Sequence, residues 1–146
     1  KAASFGIKAE ILSSEMYGDP HQIVHSFLKE IEPGGMVLAG GEPKAIINKS
    51  DGTGGRCQRL AVEMLPHLTE TDIFAAFASD GLDNSPDDGV IEDWQTVQTV
   101  KSEKIDLETY KNNWDSLGFY TETGNELIET GPTQANVSDL MIMYRK

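Results

Sequence analysis

Cysteine is nearly absent from the chain. The single Cys57 among 146 residues closes no internal disulfide, and a reducing cytoplasm is the natural expectation. No apolar run approaches the roughly 18 residues of a membrane-spanning helix, and no signal-peptide pattern opens the chain. An initiator methionine is missing too. The opening Lys1-Ala2-Ala3 reads as the end of a helix, as expected for a piece of a longer protein. Positive charge is scarce: 12 Lys and Arg stand against 24 Asp and Glu, for a net charge of −12. Nucleic acid and anionic membranes repel such a surface, so neither is an expected partner. The scarcity is local as well. No Lys or Arg occurs between Arg59 and Lys101, while Asp80, Asp83, Asp87, Asp88, Glu92 and Asp93 crowd that gap. Repeats, low-complexity segments and linkers are also lacking, so residues 1–146 read as one domain.

What is present describes a folded α/β protein. Hydrophobic residues make up 38% and charged residues 25%, an ordinary globular balance. Residues 5–13 alternate weakly and predict a strand. Asp19-Pro20 starts a helix, with Asp as cap and Pro at the first helical position. Ile23, Val24, Phe27, Leu28 and Ile31 then recur at helical spacing, and Pro33-Gly34-Gly35 stops the helix. Residues 36–39 are a short apolar run bounded by glycines, which predicts a buried strand. Residues 40–43 read as a turn into a second strand at 45–48. Leu60, Ala61, Met64, Leu65 and Leu68 share one helical face, and residues 72–78 are the best central-strand candidate. Residues 93–104 are polar and partly helical, and Asp106 looks like the cap of another helix. Tyr110, Trp114, Leu117, Phe119 and Tyr120 concentrate aromatic bulk, better suited to packing than to stacking on bases. Residues 126–130 and 140–144 predict two last strands. The expected fold is a single three-layer α/β domain, its mixed, mostly parallel β-sheet flanked by helices.

Between the strand at 45–48 and the helix lies Ser50-Asp51-Gly52-Thr53-Gly54-Gly55-Arg56-Cys57-Gln58-Arg59. Glycines allow close backbone approach, and a helix start offers unpaired N–H groups and the positive end of its dipole. Arg56 can grip a phosphate or carboxylate with two parallel hydrogen bonds. The stretch is neither a P-loop, which needs Lys then Ser or Thr after its last glycine, nor a dinucleotide fingerprint. A plain surface turn with a charged helix start fits the same residues. Lys44, Lys49, Arg56 and Arg59 surround this loop, and the acidic run follows it. One basic and one acidic loop are what a phosphate-plus-metal site requires, and solvated faces produce the same asymmetry.

Four segments in order resolve part of this ambiguity: Gly40-Gly41-Glu42, Gly54-Gly55-Arg56-Cys57-Gln58, Ser79-Asp80-Gly81-Leu82-Asp83, and the run from Thr130-Gly131-Pro132-Thr133 through Gln134-Ala135-Asn136-Val137-Ser138-Asp139-Leu140. Together they resemble the C-terminal MOFRL domain of the glycerate 2-kinase family, often labelled hydroxypyruvate reductases. That family's motifs read approximately GGE, GGRNQE, TDGxDG and TGPTGTNVNDL, and the resemblance covers nearly the whole chain. It implies a two-domain enzyme of roughly three times this length that transfers the γ-phosphoryl of ATP to D-glycerate with Mg²⁺, in a cleft between its domains. The family uses a lysine of the missing N-terminal domain and an arginine matching Arg56.

On this resemblance Arg56 is the catalytic candidate, facing either the phosphoryl charge or the glycerate carboxylate. Gly54, Gly55, Thr130, Gly131, Thr133 and Asn136 are candidates for binding phosphate or substrate. Asp80 and Asp83 suit a Mg²⁺ that keeps much of its water, and a turn in which they bond local amides is the plainer reading. Glu42 is a candidate for orienting Arg56 or binding metal, or is a simple turn carboxylate. Cys57, Arg59, Asn84 and Gln134-Ala135 depart from the family pattern, with Asn84 and Gln134 standing where it has glycine. Two other readings remain: a nicotinamide-dependent hydroxypyruvate reductase, against which no G-x-G-x-x-G follows a strand here, and a non-catalytic binding module. The 146 residues alone are expected to be inactive, for lack of half the cleft.

Overall fold

The computed structural model describes residues 1–44, 52–85, 87–124 and 127–146. The strand expected at 45–48 lies outside the described residues. After a short 3-10 turn, β1 (Lys8–Gly18) leads to α1 (Pro20–Glu30) and β2 (Gly35–Pro43). Next come α2 (Arg56–Met64), β3 (Asp72–Ala78), β4 (Gly89–Asp93), α3 (Trp94–Glu103), α4 (Leu107–Asn113), α5 (Ser116–Thr123), β5 (Leu127–Ile128) and β6 (Asp139–Arg145). The caps follow the chemistry of the sequence. Asp19 accepts from the His21 N–H and Asp106 from the Thr109 N–H, each satisfying a donor that a helix start leaves unpaired. Gly40-Gly41-Glu42-Pro43 is not the turn expected; it continues β2, with Gly41 paired to both Met16 and Asp139.

Among the described residues six strands form one sheet in the order β1-β2-β6-β3-β4-β5. The α/β class and the mixed sheet are as expected, but its mostly parallel character is corrected. Among the described residues only β1 and β2 pair in parallel; the β2–β6, β3–β6, β3–β4 and β4–β5 ladders are antiparallel. The reason is the last strand. β2 and β3 run the same way, as a helical crossover requires, yet β6 inserts between them and runs against both.

The three-layer expectation is corrected as well. Val37, Ala39, Phe74, Ala76, Val90, Met141 and Met143 point to one face and form a single core with residues of α1, α2, α3 and α5. Phe27 of α1 meets Phe74 edge to face at 5.7 Å. Residues of opposite parity are left partly open, Ile73 at 40% and Ile91 at 48% exposed. The helices thus form one layer on one side of the sheet. The aromatic bulk packs there, with Phe119 and Tyr120 fully buried and their rings 4.9 Å apart. No helix among the described residues is long and apolar enough to cross a membrane.

Candidate functional site

The strand directions bring three chain segments to one edge of the sheet. Asp139 opens β6 and pairs with Gly41 near the end of β2 and with Ala78 at the end of β3. The carboxyl ends of β2 and β3 therefore flank the amino end of β6. The start of α2 lies against this edge and places Arg56 on Asp139, where Nε and Nη2 of the guanidinium donate to the two carboxylate oxygens, the Nη2 bond at 2.8 Å. Asp139 is 1% exposed and Arg56 24%. The hydrogen bonds to Asp139 hold the guanidinium proton more firmly still, against the opposing cost of burial. Glu42, exposed at the end of β2, adds to the negative field around Arg56.

The glycine loop has an occupant of its own. Both oxygens of Asp83 accept from the backbone N–H of Cys57, at 3.1 and 3.0 Å, and Oδ2 also accepts from Gln58 at 3.1 Å. A carboxylate from the loop after β3 thus fills the anion-binding start of α2. Gly55 makes room for it, and Gly54 for Ser116. A Cβ on Gly55 would lie 1.7 Å from the Asp83 carbonyl oxygen, and one on Gly54, at φ +129°, would lie 2.1 Å from Ser116 Oγ. Thr53 is tied down in turn, its N–H donating to Asp115 Oδ1 at 3.1 Å. Burial raises the Asp83 carboxyl to about 6, with the Asp139 charge adding to the rise and the Cys57 and Gln58 amides opposing it. Cys57 itself is fully buried, and burial together with Asp83 pushes its thiol well up, so it stays an unreactive thiol.

The last motif closes over the loop after β3. Thr133 Oγ1 donates to the Ser79 carbonyl at 2.5 Å and its N–H to the Asp80 carbonyl at 3.1 Å. Asn136 Nδ2 donates to Asp80 Oδ2 at 3.1 Å, and the Val137 N–H donates to Ser79 Oγ at 2.8 Å. Thr130 gives its N–H, at 2.7 Å, and its hydroxyl to the buried Asp88. Gly131, at φ +69°, forms the bend between Thr130 and Thr133. Thr130, Thr133 and Asn136 are exposed even so, on the same edge as Arg56.

The structure therefore gathers Arg56, Gly54, Gly55, Asp80, Asp83, Glu42 and the Thr130–Asn136 stretch at one end of the sheet, but it assigns the carboxylates unevenly. Asp83 is fully buried on amides, and Asp80 accepts from the Leu82 N–H and from Asn136. These two do not fit the Mg²⁺ pair expected of them, and among the described residues no group of three His, Cys, Asp or Glu side chains could hold a metal ion. The sequence reading passed over Asp139. Its signal was available: a carboxylate at the start of an apolar strand, inside a motif already singled out, in a chain with an arginine to pair.

Comparison with known proteins places the chain in a family. Residues 35–139 match the model of the MOFRL family. The chain is 29% identical to a glycerate 2-kinase of Pyrococcus horikoshii, over 97% of this chain and 35% of that protein. It is 32% identical to a D-glycerate 2-kinase of Thermotoga maritima, over 94% of this chain and 36% of that protein. The crystal structure of a glycerate kinase from Thermotoga maritima superposes with a TM-score of 0.87 at 28% identity, covering 99% of this chain and 38% of that one. A second crystal structure, of a Pyrococcus horikoshii protein, gives a TM-score of 0.86 at 26% identity, with 99% and 36% covered. The chain thus spans about a third of the length of these relatives.

Proposed function

Because the chain belongs to the MOFRL family, we propose that it is the C-terminal domain of an ATP-dependent glycerate 2-kinase. In this reading Arg56 faces the anionic reactants across a cleft that the rest of the protein closes. The pairing of Arg56 with a buried carboxylate, at the edge where the four motifs converge, carries the proposal. The names of the relatives supply the reaction class.

The chemistry suits these groups. Transfer of a γ-phosphoryl from ATP to the 2-hydroxyl of glycerate asks a protein for in-line positioning and for neutralisation of charge on the phosphoryl oxygens. A guanidinium with a fixed orientation supplies that charge without reorganising as the reaction proceeds. The same group can instead clamp the glycerate carboxylate. Thr133 and Asn136, exposed at the same end of the sheet, are further candidates for polar contact with the reactants.

The test uses the full-length enzyme with ATP and D-glycerate, following ADP formation. NADH oxidation with hydroxypyruvate is followed in parallel. ADP formation without NADH oxidation is expected, and Arg56→Ala should lower turnover roughly 10²- to 10³-fold if it faces the developing charge. NADH consumption with no ADP overturns the kinase reading. An Arg56→Ala enzyme with unchanged kcat and KM removes Arg56 from it.

A further inference from the structure

We propose that Asp139 is a positioning residue that selects which edge of the Arg56 guanidinium meets the ligand. This rests on the reading of Arg56 given above. A guanidinium offers hydrogen bonds along two usable edges, one formed by Nε and Nη2 and the other by Nη1 and Nη2. Asp139 takes the first edge with both of its oxygens. Nη1 makes no hydrogen bond among the described residues, so the second edge keeps two parallel N–H donors. That fork matches a group presenting two anionic oxygens, either a phosphoryl or a carboxylate.

The anchor is stiff for two reasons. Asp139 is 1% exposed, so its carboxylate has little room to turn. Its backbone also lies in a central strand, laddered to Gly41 on one side and Ala78 on the other. Arg56, by contrast, sits at the first position of α2, where a long side chain would otherwise sample many rotamers. Holding it on Asp139 before the ligand arrives removes that ordering cost from the binding and reaction steps. The orientation of Arg56 is therefore determined by the sheet, and the helix supplies only its attachment point.

Chemical rescue separates this role from a purely structural one. In the full-length enzyme, Arg56→Ala should regain part of its kinase activity on addition of millimolar guanidinium, which binds beside the vacated Asp139 carboxylate. The double variant Arg56→Ala/Asp139→Asn should not be rescued. Asp139→Asn alone should lose roughly 10²-fold in activity, the cost typical of a small misplacement of a reacting group. A loss in kcat at constant KM for glycerate assigns the fork to the phosphoryl, and a rise in KM for glycerate assigns it to the carboxylate. Circular dichroism and thermal melts check that each variant folds. Rescue that is equal with and without Asp139, or an Asp139→Asn enzyme of full activity, overturns the proposal while the role of Arg56 stands. If Arg56→Ala loses nothing, the role of Arg56 on which this proposal rests fails first, while the kinase reading is decided by the ADP and NADH assays.

Discussion

At the scale of single residues, the backbone at Asn84 and Gln134 shows what the departures from the family pattern cost. Both stand where the family carries glycine, and both keep positive φ, 52° and 61°. Each residue holds a left-handed backbone conformation that glycine adopts more readily. Gln134→Gly should therefore raise the free energy of unfolding by about 1 kcal/mol, read from urea denaturation. Asp83 gives a pH dependence of defined sign. Its carboxyl lies at about 6 in the folded chain, against about 3.9 when unfolded. Between those values the folded form holds a proton that the unfolded form has released, so this group's contribution to stability falls as pH rises from about 4 to about 6. Denaturation midpoints measured across that window should show a flatter slope for Asp83→Asn, with a total difference of about 3 kcal/mol.

At the scale of elements, the acidic run between Arg59 and Lys101 proves to be a set of structural ties. Asp83 caps α2, Asp93 caps α3, Asp88 holds Thr130, and Glu92 turns into the core to meet the Tyr120 hydroxyl at 2.9 Å. The inward Glu92 also explains why β4 escaped the sequence reading, since an acid on the buried face hides the alternation of a strand. β6 was legible as a strand, but its place between β2 and β3 was not, because local pattern carries no information on which distant strands pair. Asp19-Pro20, the apolar face of α2 and the whole of β3 were readable, each resting on capping or periodicity within its own segment. In the candidate site Arg56 could be read from its motif and Asp139 carried a signal within its own, whereas their pairing and the plugging of α2 by Asp83 arise from tertiary contacts.

Arg59 illustrates such contacts within the helical layer. It donates to Glu63 at 2.6 Å and stacks over Trp114 at 4.6 Å, while Lys111 reaches the same Glu63 at 2.9 Å. Glu63 is 3% exposed, so the cluster ties α2 to α4 around a buried charge. Replacing Arg59 with Glu, the family's usual residue here, leaves Glu63 facing a like charge and should destabilise the protein by about 3 to 5 kcal/mol. Thermal or urea denaturation reads this directly.

At the scale of the whole molecule, one sheet face carries the helices and the other is open. A shallow hollow of about 330 Å³ on the open face is lined by Ile11, Leu38, Val137, Leu140 and Ile142 among others. The chain's span of about a third of its relatives' length makes it half of a site in the kinase reading. Residues 1–146 alone, supplied with ATP and D-glycerate, should therefore release no ADP above background in a coupled assay, and measurable turnover would mean that the chain holds all the machinery it needs. The fit of Gly55 against Asp83 bears on how such domains can be recombined. With only 1.7 Å between a Cβ at 55 and the Asp83 carbonyl, the two positions are one joint made of two distant pieces of chain. Chimeras assembled from different relatives must take residues 52–59 and 79–88 from the same parent wherever this joint differs, or the helix that presents Arg56 loses its seat.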